Sequence, residues 1–477
     1  MQNNIVPPSL NPKENRVLGK LNKVPGLVLA HGLGTGKTRT SIQVANQLHR
    51  PTSVIVPASL QDNYKKEMTK WMGGQPDNIN IQSQQRVALN GLQNNNPKGL
   101  MVVDEAHRAR DPKSRLMKQL QTSEAAKRLL LTATPVYNHP ADIAPLINVA
   151  ANKQVLPEDR KVFSDQFISE KQVDPGFLGK ILGIRPGEEE TLNQKSPELR
   201  DALKKYVDYE PGTNAGAQAA GFPQTKEEVI KTPLSSSQQD IYKTIMGQAP
   251  FWTRWKVRAG LPPNRTELQS LQSFLTGARQ VADSTYDFVK NKNKFESPKI
   301  QNAVSYLRQQ MANNPRYKAV VYSNYLTSGL APYKSYLNKY QIPYGEFSGD
   351  MPVATRNQMV RDYNANKLRA LLISSAGAEG LDLKGTRLLQ ILEPHFNREK
   401  EKQIIGRAAR YQSHAGLPAN EQNVLIQRYL AQPQGSWFDK LLGKPVVRGT
   451  DEYISDIADR KERLNQQLMQ LIAKTSS

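Results

Sequence analysis

The chain has 477 residues, a formal net charge of +22, six histidines and no cysteine. That length accommodates two or three domains with sizeable cores. The lack of cysteine excludes disulfides, cysteine-ligated zinc and iron–sulfur clusters, and the histidines are too scattered for a histidine-rich metal site. The surplus of Lys and Arg calls for a polyanionic partner, usually nucleic acid; the blander reading is a basic chain kept soluble by its charge.

Residues 1–15, MQNNIVPPSLNPKEN, have neither a basic segment nor an apolar core, so they do not read as a signal peptide. The apolar runs are all shorter than a membrane span. The expectation is a soluble, cytoplasmic protein with no membrane partner, taken as a monomer.

From residue 26 to 135, short apolar runs alternate with polar helical stretches. GLVLA (26–30), TSVIVPA (52–58), GLMVVDEA (99–106) and RLLLTATP (128–135) read as buried strands. Strands separated by helices predict an α/β fold with a parallel sheet, and the polar residues that follow each run lie where such sheets bind ligands. Residues 151–222 read as a helical insertion with a mobile loop near 210–222, from the low-complexity piece EPGTNAGAQAAGFP. KEEVIKTPL (226–234) reads as one more strand, placed with the first domain over 1–232. Residues 233–296 read as helical. A second α/β stretch over 297–430 carries strands at YKAVVYS (317–323), RALLIS (369–374) and TRLLQILE (386–393). Residues 431–477 hold a further insertion and a C-terminal helix, whose Tyr453, Ile454, Ile457, Leu464, Leu468 and Leu471 recur at helical spacing.

The stretch AHGLGTGKTRT (30–40) lies between a strand and a helix, which is how a phosphate-gripping loop is built. Small residues let backbone N–H groups approach phosphate, a lysine holds the β and γ oxygens, and a hydroxyl serves Mg²⁺. Gly34, Thr35, Gly36, Lys37, Thr38 and Arg39 form this candidate nucleotide site. The generic pattern opens with a glycine where this chain has His31. Downstream, MVVDEAHRAR (101–110) ends an apolar strand in two carboxylates. Asp104 suits a water-mediated Mg²⁺ contact, with Thr38 as the other metal-side group. Glu105 suits polarising an attacking water.

With DEAH at 104–107 and LTATP at 131–135, the chain resembles helicase superfamily 2. The match continues through VIVPASLQDNYKKEM (54–68), VVYSNY (320–325), ISSAGAEGLDLKGTRLL (373–389) and QIIGRAARYQSH (403–414), which resemble motifs Ia, IV, V and VI. Within the superfamily the sequence is most similar to Swi/Snf-type DNA translocases and their compact phage and viral relatives. It departs from them in having LTATP for the usual LTGTP, and in lacking a clear adenine-reading glutamine before residue 26.

The resemblance implies two RecA-like parallel-sheet domains with helical insertions and a C-terminal helix, with ATP bound in the cleft between the two domains. It further implies catalytic roles for Gln403, Arg407 and Arg410 beside Lys37, Asp104 and Glu105. Thr132 and Thr134 would couple hydrolysis to motion, and Gly380 and Asp382 would lie near nucleotide and nucleic acid. The implied cofactors are ATP and Mg²⁺, and the implied partner is nucleic acid, foremost DNA. For a phage or viral source the place of action would be the host cytoplasm.

FWTRWKVR (251–258) mixes Trp252 and Trp255 with Arg254 and Lys256. It reads either as a nucleic-acid contact or as an amphipathic helix with tryptophans in the core. Trp437 and Phe438 mark a second such candidate in the insertion at 434–449. Three functions stay open: a translocase on duplex or branched DNA, a strand-separating helicase on DNA or RNA, and a nucleic-acid-binding scaffold with a vestigial ATPase. The intact charged motif residues speak against the last.

Overall fold

The computed structural model describes residues 10–476 apart from 33, 213–220, 348–350, 375–380 and 436–445. Gly380, Trp437 and Phe438, and most of the loop expected near 210–222, lie outside the described residues. In chain order the strands are β1 (Gly26–His31), β2 (Thr52–Val56), β3 (Ile79–Ser83), β4 (Leu100–Val103), β5 (Lys127–Thr132), β6 (Ile168–Val173), β7 (Gly187–Leu192), β8 (Val207–Glu210), β9 (Gln224–Pro233), β10 (Ala319–Ser323), β11 (Tyr344–Phe347), β12 (Ala370–Ser374), β13 (Leu388–Ile391) and β14 (Asn423–Gln432). The chain divides into two units. The first is Met1–Ser169, Glu190–Gly216 and Arg463–Ser477, and the second is Glu170–Glu189 and Ala217–Glu462.

The first unit is built on a six-stranded parallel sheet, ordered β3-β2-β4-β5-β1-β8. Strands β1, β2 and β4 are buried at every position, which is why they read as unbroken apolar runs instead of alternating ones. The helix Ile143–Ala151 is buried along its whole length, and Leu464, Leu468, Leu471 and Ile472 of the C-terminal helix Thr450–Ser476 enter the same core. The second unit has its own six-stranded parallel sheet, ordered β11-β12-β10-β13-β14-β9. Its helices Ser236–Gln248, Phe251–Ala259 and Arg265–Asp283 close a cluster with Tyr453, Ile454 and Ile457. Both units are therefore parallel-sheet α/β layers, as the resemblance to RecA-like domains implies, with helical segments added to the second.

Two expectations are corrected. The sequence places residues up to 232, and so nearly all of β9, in the first domain, but β9 pairs with β14 along its length in the second sheet. It is an edge strand, mostly exposed, so burial places no apolar pattern on it. The span 151–222, expected to be a helical insertion with a loop, does hold the helices Arg160–Phe167, Gly176–Ile181 and Pro197–Tyr206, but it also contains three strands: β6 and β7 pair with each other, and β8 is the outer strand of the first sheet beside β1.

Candidate nucleotide site and arginine face

In the first unit, β1 delivers the chain to the phosphate loop. The Gly32 N–H donates to the Glu210 carbonyl of β8 at 2.9 Å. A side chain on Gly32 would fall 2.2 Å from Gly212, so only glycine fits there. Gly34 and Gly36 adopt φ of 79° and 77°, the left-handed region that glycine enters freely. Gly36 is the N-cap of the helix Lys37–Leu48, and no side chain caps it. Its first N–H groups and the positive end of its dipole are therefore available to an anion. The Thr35 hydroxyl donates to the Gly32 carbonyl at 2.8 Å and braces the turn. Lys37 Nζ donates to the carbonyls of His31 and Gly32 at 3.0 and 3.3 Å, which holds it across the loop mouth. Burial lowers the Lys37 pKa, opposed by the nearby charges of Glu105 and Asp104.

Those carboxylates follow β4. Asp104 is 7% exposed, and burial, then the charge of Glu105, push its carboxyl from 3.8 up to about 6. The Glu105 N–H donates to Asp104 Oδ1 at 2.9 Å, and Gln84 Nε2 donates to the Asp104 carbonyl at 2.6 Å. Glu105 has φ 49° and ψ 47°, a left-handed backbone that costs a non-glycine residue about 1 kcal/mol and is found at functional turns. His107 Nδ1 lies 3.3 Å from Glu105 Oε2 and 3.2 Å from Thr132 Oγ1, and the Thr134 N–H donates to Thr132 Oγ1 at 3.0 Å. His107 thus links the acidic turn after β4 to the LTATP turn after β5. It is a site residue that sequence reasoning left out, although it stands inside the motif.

Behind the loop lies a charged cluster with no local signal in the sequence. His31 and Asp208 are fully buried, with Nε2 to Oδ2 at 2.8 Å. Arg16 Nη2 and Lys20 Nζ reach Asp208 at 3.1 and 3.0 Å. Burial lowers the His31 pKa, so a neutral imidazole donates Nε2–H to Asp208. Burial alone would raise the Asp208 carboxyl, but the bonds from His31, Arg16 and Lys20 outweigh it and hold the carboxyl far below its usual range. The histidine in place of the generic glycine therefore turns away from the phosphate side and ties β1 to β8.

Two sequence assignments are revised. Arg39, read as part of the nucleotide site, pairs through Nε with buried Glu14 at 3.0 Å and stacks over Trp71 at 4.4 Å. Lys256, read as a nucleic-acid contact, is fully buried in the second unit, with Nζ 2.6 Å from Glu267 Oε2. Its neighbours behave as an amphipathic helix. Trp252 packs on the apolar cluster and meets Phe274 edge-on, Trp255 lies against Gly179, and of the four candidates Arg254 alone is exposed.

The second unit presents the remaining motif residues. Gln403 and Arg407 lie half-buried on the helix Arg398–Ala408. Just beyond it, exposed Arg410 pairs with Asp382 at 3.1 Å. Two of the arginine-face candidates are thus in contact, while Thr38 stays half-buried beside the phosphate loop of the first unit.

No three His, Asp or Glu side chains converge as a metal cage among the described residues. The Thr38 hydroxyl and a single buried carboxylate instead suit a divalent cation that arrives with phosphate and keeps its waters. No described helix is long and apolar enough to cross a membrane.

Comparison with known proteins gives three family matches: an SNF2-related domain over residues 78–313, a helicase conserved C-terminal domain over 299–412, and a type III restriction enzyme res subunit over 10–137. A putative ATP-dependent RNA helicase, L538, of Acanthamoeba polyphaga mimivirus is 28% identical over 94% of both chains. An African swine fever virus termination factor NPH-I homolog is 20% identical over 96% of this chain and 77% of its own. A DNA repair and recombination protein RAD54-like of Danio rerio is 22% identical over 81% of this chain and 58% of its own. A solved SWI2/SNF2 ATPase core of Sulfolobus solfataricus, in complex with dsDNA, aligns over 96% of this chain and 97% of its own, with 16% identity and a TM-score of 0.37.

Proposed function

We propose that this chain, which matches an SNF2-related domain over residues 78–313 and a helicase conserved C-terminal domain over 299–412, is a superfamily 2 motor of the SNF2-related group, driven by ATP along duplex or branched DNA. The observation that carries the reading is the joint placement of Lys37 after β1 and of the Asp104–Glu105 pair after β4, two parallel strands that flank β5 in one sheet, with His107 tying the pair to Thr132 at the end of β5. A buried carboxylate raised to about 6, whose charge the Glu105 amide, Lys37 and His107 favour only in part, suits a site that gains a cation with its nucleotide better than a scaffold with a lapsed ATPase.

In this reading the uncapped amides after Gly36 and the Lys37 ammonium hold the triphosphate. Thr38 and Asp104 hold Mg²⁺, which when bound neutralises charge on the phosphate oxygens. Glu105 accepts a proton from the attacking water, and the left-handed turn at Glu105 fixes its direction. Arg407 and Arg410 act in turnover, where a planar guanidinium stabilises charge on the transferring phosphoryl group. Gln403 positions the nucleotide, while Thr132 and Thr134 relay its state through His107. A surplus of +22 suits sequence-independent grip on a phosphate backbone. RNA is the competing track, because the mimivirus relatives are named as RNA helicases. The viral relatives support a viral or phage source and action in a host cytoplasm.

The test is ATP hydrolysis by the full chain with duplex, branched and single-stranded DNA and with RNA. Duplex or branched DNA is expected to stimulate turnover most. Lys37→Ala is expected to lose nucleotide binding, and Glu105→Gln to keep binding while turnover falls by about 10² to 10⁴. Wild-type turnover in Glu105→Gln, or the absence of stimulation by any nucleic acid, would refute the reading.

A further inference from the structure

The loop between the helices Arg265–Asp283 and Pro298–Asn313 of the second unit has no role in the motor motifs, yet it is braced and its charges are sorted. Its neck is closed by the Thr285 N–H on the Glu296 carbonyl at 2.9 Å and by the Glu296 N–H on the Thr285 hydroxyl at 2.8 Å. Its base is aromatic. Tyr286 meets Phe295 edge-on at 5.4 Å, and Phe295 meets Tyr336 at 5.5 Å. Internal turns at Phe288, Asn293 and Lys294 hold the rest. A loop so filled by its own side chains is a compact surface feature, of the kind that carries function.

The charges on this loop are sorted. Its two carboxylates sit near the neck with hydroxyl partners: Thr327 Oγ donates to Asp287 at 2.8 Å, and Ser237 Oγ donates to Glu296 at 2.8 Å. The three lysines, Lys290, Lys292 and Lys294, are all exposed. Lys292 leans on the Tyr286 ring at 4.7 Å and bonds its carbonyl. No described carboxylate forms an ion pair with any of the three, whereas Lys231, Lys334 and Lys402 of the same unit are each paired with one. Beside them Phe288 is 39% exposed and Leu326 is 50% exposed. The Thr327–Asp287 bond fastens the loop to the turn that follows β10.

We propose that this loop is a nucleic-acid contact, with Lys290, Lys292 and Lys294 holding backbone phosphates and Phe288 packing against sugar or base. The inference rests on the motor reading and adds to it a specific surface. Ammonium groups with no carboxylate partner among the described residues, carried on a pre-formed loop, hold phosphate by charge, without reading sequence. An exposed ring among them adds stacking that every base accepts. The bracing reduces the ordering cost of binding.

The test compares the full chain with the triple variant Lys290→Gln, Lys292→Gln, Lys294→Gln in binding to duplex DNA of arbitrary sequence, by fluorescence anisotropy across a salt series. Each phosphate contact adds about 0.9 to the slope of log affinity against log salt, so three lost contacts flatten it by about 2.7. Affinity is expected to fall to the same degree on unrelated sequences. The triple Lys→Arg variant is expected to keep the parental slope. Basal ATP hydrolysis and the melting temperature are expected to stay unchanged, because the lysines lie outside the phosphate site and the core. A parent that binds DNA with an unchanged slope in the Gln variant would overturn the inference and leave the motor reading standing, as would an effect confined to binding of an acidic protein. A parent that binds no nucleic acid would overturn both.

Discussion

Replacing Asp104 by Asn tests the electrostatics of the phosphate site directly. Asp104 is 7% exposed, and burial together with Glu105 lifts its carboxyl from 3.8 to about 6, against the opposing pull of the Glu105 amide, Lys37 and His107. A raised value in the folded state means that the native chain binds the proton more tightly than the unfolded chain. The contribution of Asp104 to stability is therefore complete below the unfolded value of 3.8 and is lost as the pH rises through about 6. At about 1.4 kcal/mol per pH unit, the loss at neutral pH is about 3 kcal/mol. Asparagine keeps the shape and still accepts the 2.9 Å bond from the Glu105 amide through its carbonyl oxygen, but carries no charge. Asp104→Asn is thus expected to be more stable than the parent by about 2 to 3 kcal/mol at pH 8, with the gap closing near pH 4, and to lose ATP turnover. For a unit of this size the melting temperature would rise by roughly 5 to 10 °C at pH 8. The assay is denaturation of nucleotide-free full chain at both pH values, with the transition of each unit followed separately, because a chain of two units need not unfold in one step. Equal stability at pH 8, or the same advantage at pH 4, would refute the reasoning.

Three further outcomes follow from the same structure. Lys256→Met leaves Glu267 buried without its cation and is expected to destabilise the second unit by about 3 to 5 kcal/mol, with Glu267→Gln added in the same chain recovering much of the loss; a loss below about 1 kcal/mol in denaturant titrations would contradict the burial. Asp208→Asn is expected to weaken nucleotide binding and to destabilise the first unit at pH 7. Because the Asp208 carboxyl is depressed, its stabilisation is present above the ordinary carboxylate range and fades as pH falls, so parent and variant should converge in acid, and a gap that stays constant on acidification would count against the cluster. Arg407→Ala is expected to lower turnover by about 10³ or more with little change in ATP affinity; lost ATP binding with normal turnover at saturation would show that its role is binding alone.

Much of the phosphate site was legible from the sequence because its signals are local. A left-handed turn at Gly34 and Gly36, a lysine at a helix start and two carboxylates closing an apolar run are each dictated within a few residues. The buried strands β1, β2, β4, β5, β10, β12 and β13 were legible for the same reason, since a strand covered on both faces must be apolar throughout. Of the edge strands, β9 was legible as a strand but not as a member of the second sheet, and β8 carried no mark, because an edge is specified by its hydrogen-bonded neighbour and tolerates polar residues on its open side.

Charge was the other point at which sequence and structure parted. Lys256 reads as exposed because free ammonium groups avoid burial, and only the presence of Glu267 on the next helix makes its burial tolerable. Arg39 was drawn toward the phosphate site by its place in the motif, but Glu14 and Trp71 hold it elsewhere. The bond between His31 and Asp208 spans 177 positions, and nothing in either neighbourhood announces it. Backbone conformation and strand burial are short-range properties that a sequence states residue by residue. Whether a charge is buried, and against what, depends on which distant residue the finished fold brings within about 3 Å, and only the tertiary structure decided that.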